Sequence, residues 1–293
     1  MSANLKIAVL GCGYVGAEFA RQARAAGHDV LGVVRSESSR DKLRAEGIPA
    51  ESFDLHGGDW ASLPSRFDAV VYAASTGGGG PEAYALAYDS GVRRALAWAH
   101  DVGARAFVFT SSTGVYREDA GGVVDEDSPV GGAPTADAIL RGEQAVLASG
   151  LTKARVLRFG GLYGPARHHL VDQLRRGDNV IGGRVDHFIN YLHRDDAASS
   201  ILAAILGGSD GARIYNVGDG NPVTKEALAR WIAARLDLPD PVFDFSAPAG
   251  PRVAKGGRTQ PNRRVSTSLI CSELAWKPRF IDVFSGLNQL FCA

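Results

Sequence analysis

Residues 5–16 read LKIAVLGCGYVG, a short apolar run that passes straight into glycines spaced as G-x-G-x-x-G. A run apolar on both faces suits a strand covered by helices on either side, which is the environment of a parallel sheet. Each glycine then has a physical purpose. Gly11 permits the tight turn, Gly13 lets backbone come close to a pyrophosphate, and Gly16 lets the following helix pack against the strand. Tyr14 and Val15 open that helix, so the spacing predicts a cofactor-binding set of Gly11, Gly13, Tyr14, Val15 and Gly16. A tight strand-to-helix turn without a ligand is the plainer alternative.

The same alternation continues. A helix from Tyr14 to Ala26 stops at Gly27, DVLGVV follows as a strand, Ser36 to Glu46 form a helix closed by Gly47, and IPAESF is a third strand. AVVYAA, a long helix from Pro81 to about Asp101, ARAFVFT, a helix over Ala133 to Leu147 and ARVLRF extend the series. Gly77 to Gly80, ahead of Pro81, form either a mobile lid or a flexible connector. Strands alternating with helices on short connections predict an α/β fold: a Rossmann-type doubly wound parallel sheet whose ligand lies at the carboxyl ends of the strands. With 293 residues, 45% of them hydrophobic, the chain can bury a substantial core without staples.

About twenty residues beyond the glycine loop, an NAD site carries Asp or Glu against the ribose hydroxyls. This chain has Arg35 there, and a guanidinium suits a 2′-phosphate. The expected cofactor is therefore NADP, with NAD as the alternative, and with Ser36 and Arg40 as helpers; a solvated surface arginine is the competing explanation. Asp54, after the third strand, is read either as a partner of adenine or as the cap of the next turn. Lys and Arg balance Asp and Glu to a formal charge of zero, which argues against nucleic acid and against a polybasic membrane anchor. No apolar run approaches membrane-spanning length. Cys12, Cys271 and Cys292 lack metal-ligand spacing and fit a reducing, cytoplasmic setting. His168 and His169 have no third ligand nearby, so no metal site is expected.

TSSTGVY (Thr110 to Tyr116), FGGLYGP (Phe159 to Pro165), YLHRDDAASSILAAI (Tyr191 to Ile205) and YNVGDG (Tyr215 to Gly220) follow the glycine loop in order. Together they resemble the extended short-chain dehydrogenase/reductases, the NAD(P)-dependent epimerase/dehydratase family. The resemblance implies a Rossmann domain of residues 1–160 plus 188–217 and a smaller substrate domain of 161–187 plus 218–293. It implies that Ala73, Ala74 and Thr76 line the cofactor, and that Ser112 gives a hydrogen bond to the reacting oxygen. Ser111 and Ser112 could equally end their strand by bonding nearby backbone. The implied activity is hydride exchange or epimerisation/dehydration on a small carbonyl or hydroxyl compound or a sugar nucleotide, with a homodimer left open.

One part of the family pattern is missing. Its helix after the fifth strand bears Y-x-x-x-K, commonly with a glutamate four residues after the lysine. Setting that glutamate on Glu143 puts Thr135 at the tyrosine and Ile139 at the lysine, and no Tyr or Lys occurs between Arg117 and Gly150. Threonine cannot supply the phenolate that such a lysine stabilises. Tyr116 leads as a substitute proton donor, against an aromatic packed beneath the substrate loop. Tyr163 and His193 are weaker candidates, His193 with a helix cap as its default. A catalytically impaired NADP-binding sensor is the alternative to an enzyme. Arg252, Lys255, Arg258, Arg263 and Arg264 bias one loop positively, for phosphate recognition or as a solvated surface.

Overall fold

The computed structural model describes residues 4–247 and 261–291. Arg252, Lys255, Arg258 and Cys292 lie outside them. The first half of the chain forms β1 (Lys6–Leu10), α1 (Tyr14–Ala25), β2 (Asp29–Val34), α2 (Glu37–Ala45), β3 (Ala50–Ser52), β4 (Ala69–Tyr72), α3 (Pro81–Tyr84), α4 (Gly91–Asp101), β5 (Ala106–Ser112), β6 (Val123–Val124), α5 (Pro134–Leu147) and β7 (Lys153–Phe159). The second half forms β8 (Gly161–Tyr163), α6 (His169–Arg175), β9 (Val180–Gly182), β10 (Phe188–Ile189), β11 (Tyr191–His193), α7 (Arg194–Leu206), β12 (Gly211–Val217), β13 (Val223–Thr224), α8 (Lys225–Arg235), β14 (Val242–Asp244), β15 (Arg264–Val265), α9 (Ser268–Leu274) and α10 (Val283–Phe291).

Seven strands make one parallel sheet in the order β12-β7-β5-β4-β1-β2-β3. Val9 of β1 stands between Gly32 of β2 and Val71 of β4, and Ile7 through Leu10 are fully buried, as an apolar run inside a covered sheet requires. The chain winds outward from β1 to β3, then returns to the other side of β1 at β4. That reversal opens a crevice at the carboxyl ends of β1 and β4, where α/β sheets bind ligands. β5 runs to Ser112, past the expected end at Thr110, because Ser111 and Ser112 stay in register with Arg158 and Phe159 of β7.

One face of the sheet packs Phe19, Ala20 and Ala23 of α1 with Ala197, Ala198 and Ile201 of α7. The other packs Val92, Ala95 and Ala99 of α4 with Ile139 and Val146 of α5. A third apolar cluster, built from Tyr163, Val171, Leu174, Ile181, Leu228, Ile232 and Leu287, lies apart from both. Between α3 and α4 the expected continuous helix widens into a π turn over Ala85–Ser90. The buried Tyr72 hydroxyl donates to the Ala87 carbonyl (2.6 Å), and Gly91 leaves room for it, so a side chain inserted into the ladder explains the widening.

Candidate functional site

A cleft of about 870 Å³ opens at the crevice between β1 and β4. Its floor is the glycine loop. Gly11 has φ +84°, and a Cβ there would run into the backbone of Ala74. The amides of Gly11 and Cys12 both donate to the Val33 carbonyl (2.9 Å), tying the turn to β2. At Gly16 a Cβ would lie 3.0 Å from both the Gly11 carbonyl and Val9 Cγ1, so this glycine serves helix-to-strand packing and lies outside the cleft lining. Gly13 is different. A Cβ there would meet nothing nearer than the Gly11 carbonyl at 4.0 Å, and the residue lines the cleft.

α1 starts at Gly13 with no side-chain cap and no acidic residue in its first turn. Its opening amides, from Tyr14 and Val15 at the cleft wall, therefore keep their donors for an anion, and the helix dipole favours negative charge there. Bare amides over a glycine facing open space fit the diphosphate of a dinucleotide. Ala73, Ala74 and Thr76 line the cleft beside them. Cys12 lies in the same loop, but burial pushes its thiol up to about 12, which leaves it chemically inert at neutral pH.

Toward β2 and β3 the cleft is lined by Arg35, Ser39, Phe53, Asp54, Leu55 and His56. Arg35 is exposed there. Ser36 does not line the cleft: its hydroxyl accepts from the Ser39 amide (3.3 Å) as the cap of α2, and Ser39 is the serine of this turn that lines the cleft. Arg40 is absent from the lining as well, its guanidinium held by Asp41 (2.9 Å). Asp54 caps its turn through the His56 amide (2.9 Å) while its residue borders the cleft.

The far end of the cleft gathers Ser111 to Gly114, Phe159 to Leu162, Arg167, His187 to Asn190, Pro261 and Arg263. The Ser112 hydroxyl accepts from the Gly114 amide (3.0 Å), which leaves its own proton to give. Arg263 Nη1 donates to the carbonyls of Thr113 (3.0 Å) and Tyr116, and β15 pairs with β6, so the carboxyl-terminal segment clamps the Ser112 loop. Sequence reasoning missed His187 and the clamping role of Arg263, because nothing in their local pattern signals a partner far along the chain.

Tyr116 must be corrected. It is 3% exposed and outside the cleft lining, its hydroxyl donating to Asn216 Oδ1 (2.7 Å) and accepting from Arg158 Nη1 (2.9 Å). Burial raises its phenol above the ordinary value, with Arg158 opposing, so it is held as a hydrogen-bonded strut beneath the loop. Tyr116→Phe should leave catalysis and NADPH affinity near wild type while costing about 1–3 kcal/mol of stability, because Asn216 and Arg158 lose a buried partner. Denaturant melts beside a nicotinamide-fluorescence titration check both halves.

Arg158 also grips Glu143, through Nη2 to Oε2 (2.7 Å) and Nε to Oε1 (3.1 Å), and Ser111 donates its hydroxyl to the same carboxylate (2.5 Å). Both partners of that ion pair are 3% exposed. Thr135 and Ile139 of α5 do not reach the cleft, and Ile139 is packed in the apolar core. Tyr163 and His193 are likewise structural. The Tyr163 hydroxyl donates to the Asp282 carbonyl (3.4 Å), and His193 caps α7 by accepting from the Asp195 amide (3.2 Å). His168 pairs with Asp172 (2.9 Å), and no group of metal-ligating side chains occurs among the described residues. Among them, too, no helix is long and apolar enough to cross a membrane.

A doubly wound parallel sheet with a glycine turn feeding an uncapped helix defines a Rossmann-type, dinucleotide-binding class of protein. More particularly, the chain belongs to the NAD dependent epimerase/dehydratase family, whose model matches residues 7–218. Protein YeeZ of Escherichia coli K12 is 28% identical over 94% of this chain and 97% of its own length. UDP-glucuronic acid 4-epimerase from Bacillus cereus, solved with UDP-glucuronic acid and NAD, shares the fold at a TM-score of 0.80 and 18% identity, covering 97% of this chain and 96% of its own. UDP-glucose 4-epimerase from Thermotoga maritima, solved with UDP-glucose, superposes at a TM-score of 0.79 with 21% identity and 96% coverage of both chains.

Proposed function

We propose that this protein is an NADP-dependent oxidoreductase or epimerase of the extended short-chain type, acting on a small carbonyl or hydroxyl compound or a sugar nucleotide. The observation that carries the reading is the uncapped start of α1 beneath Gly13, at the point where the strand order reverses. Bound there, the cofactor would supply hydride chemistry. The chain's own residues do the rest. Gly13, Tyr14 and Val15 hold the diphosphate, Ala73, Ala74 and Thr76 border the dinucleotide, and Asp54 stands toward the adenine. Ser112 donates a hydrogen bond to the reacting oxygen. In the two-part division 1–160 plus 188–217 and 161–187 plus 218–293, the substrate lies between the parts.

Arg35 is the basis for preferring NADP. Its exposed guanidinium at the end of β2 suits a phosphate, where an NAD site has a carboxylate. Arg35→Asp should weaken NADPH binding at least about tenfold and leave NADH binding unchanged or tighter, read by fluorescence titration of both. Equal losses for both nucleotides would remove Arg35 from the choice.

The activity is tested by incubating the protein with NADPH and panels of carbonyl compounds and sugar nucleotides, following nicotinamide absorbance and analysing products, since an epimerase regenerates its cofactor. Turnover supports the enzyme. Tight NADPH binding with no product from any panel member would favour the sensor reading, which the lack of any α5 side chain in the cleft also supports.

A further inference from the structure

With no tyrosine or lysine from α5 in the cleft, the proton that accompanies hydride transfer needs another carrier. Few of the described residues lining the cleft can titrate in the required range. Burial pushes the Tyr88 phenol up to about 12, and it raises the Tyr14 phenol beside the diphosphate cradle. Asp54 and His56 stand at the adenine end. Serine, threonine and asparagine do not exchange protons near neutrality. His187 is left. It lies between β9 and β10 and lines the cleft.

Its geometry is fixed. Nδ1 lies 2.6 Å from the Arg184 carbonyl. A carbonyl only accepts, so Nδ1 carries the hydrogen, and in the neutral ring Nε2 keeps a lone pair. The next residue is anchored as well: the Phe188 amide donates to Oδ1 of the buried Asn262 (2.9 Å). Asn262 precedes Arg263, which clamps the Ser112 loop, so one short segment links the wall bearing His187 to the loop bearing Ser112. An imidazole oriented by a second group, in the same cleft as a hydroxyl, supplies the two kinds of group that acid–base catalysis needs.

We propose that His187 is a catalytic residue of this cleft, its Nε2 exchanging the proton of the substrate oxygen in place of the absent tyrosine–lysine pair. The proposal rests on the oxidoreductase reading above. In the oxidising direction neutral Nε2 takes the hydroxyl proton while hydride leaves the same carbon for the oxidised dinucleotide. The O–H and C–H bonds break, the C=O bond forms, and two electrons pass from substrate to dinucleotide. In reverse, the imidazolium returns the proton to the carbonyl oxygen as hydride arrives at carbon. Ser112 holds that oxygen throughout. Burial lowers the His187 pKa, Lys225 and Arg184 add to the lowering, Asp186 opposes it, and the Nδ1 contact to the Arg184 carbonyl favours the charged ring. Arg167 and Arg263 line the same cleft. The resting imidazole is therefore neutral at physiological pH.

The test compares the full chain with His187→Gln. The variant should bind NADPH within about twofold of wild type and lose at least about 100-fold in kcat, with the imidazole limb of the pH–rate profile gone. Independently of turnover, ¹⁵N histidine spectra, with His187 identified by its absence in the variant, should show the Nδ1–H form at pH 7.5 and a shifted Nε2 resonance once NADPH is added. An unchanged kcat and pH profile, an Nε2–H tautomer, or an Nε2 signal that ignores NADPH would overturn the role of His187. Failure of wild type to bind NADPH would instead overturn the reading of the cleft.

Discussion

Glu143→Ala should be the most destabilising change on this surface-remote network, at about 3–5 kcal/mol, because it leaves the Arg158 guanidinium buried without its counter-ion. In a chain of this size that corresponds to a fall in Tm of roughly 5–8 °C. The reason is an asymmetry. The net worth of a buried ion pair is small, since desolvation offsets attraction, but one partner left alone bears the whole desolvation penalty. Here the carboxylate also receives the Ser111 hydroxyl, and Arg158 reaches on to Tyr116 and to the Glu126 carbonyl (3.3 Å). Glu143→Leu with Arg158→Met should recover part of the loss. Calorimetry of the three proteins reads the result directly, and a Glu143→Ala melt within 1 °C or so of wild type would mean that water or a neighbour screens the guanidinium.

Gly13→Leu should lower NADPH affinity by at least about 100-fold, roughly 2.7 kcal/mol. The φ of Gly13 is −96°, outside the left-handed region, and a Cβ there would meet nothing nearer than the Gly11 carbonyl at 4.0 Å. Leucine there would stand where the diphosphate must lie to reach the α1 amides. Gly11 is the contrasting case. Its φ of +84° and the backbone of Ala74 beside it make any side chain a defect of folding, so loss of binding in a Gly11 variant would carry no functional information. Affinity that persists in Gly13→Leu would remove the diphosphate from this loop.

How far the chain could be read from its residues follows the reach of the interactions involved. The glycine turn and the alternation of strands with helices are local patterns, and the fold has them at the predicted positions. The order β3-β2-β1-β4-β5 follows from short connections between parallel strands. Tyr116 was misjudged because its fate is decided by Asn216, Arg158 and Glu126, separated along the chain and joined only through β5, β7 and β12. A tyrosine beside a serine after a strand looks the same whether it points into a cleft or under it. His187 was overlooked for the opposite reason: it sits between short strands with no periodicity to mark a face. Ser36 illustrates a local competition, since a serine one residue before a helix is taken by that helix's own amide before any ligand can use it.

The clamp that Arg263 places on the Ser112 loop sets an order of events during synthesis. β1 to β5 leave the ribosome with the glycine cradle and can pair while translation continues, yet the loop carrying Ser112 gains its fastener only about 150 residues later. On the proposed reading, a nascent chain would have its nucleotide cradle well before its substrate loop is fastened, and a ribosome halted ahead of Arg263 would carry the first without the second.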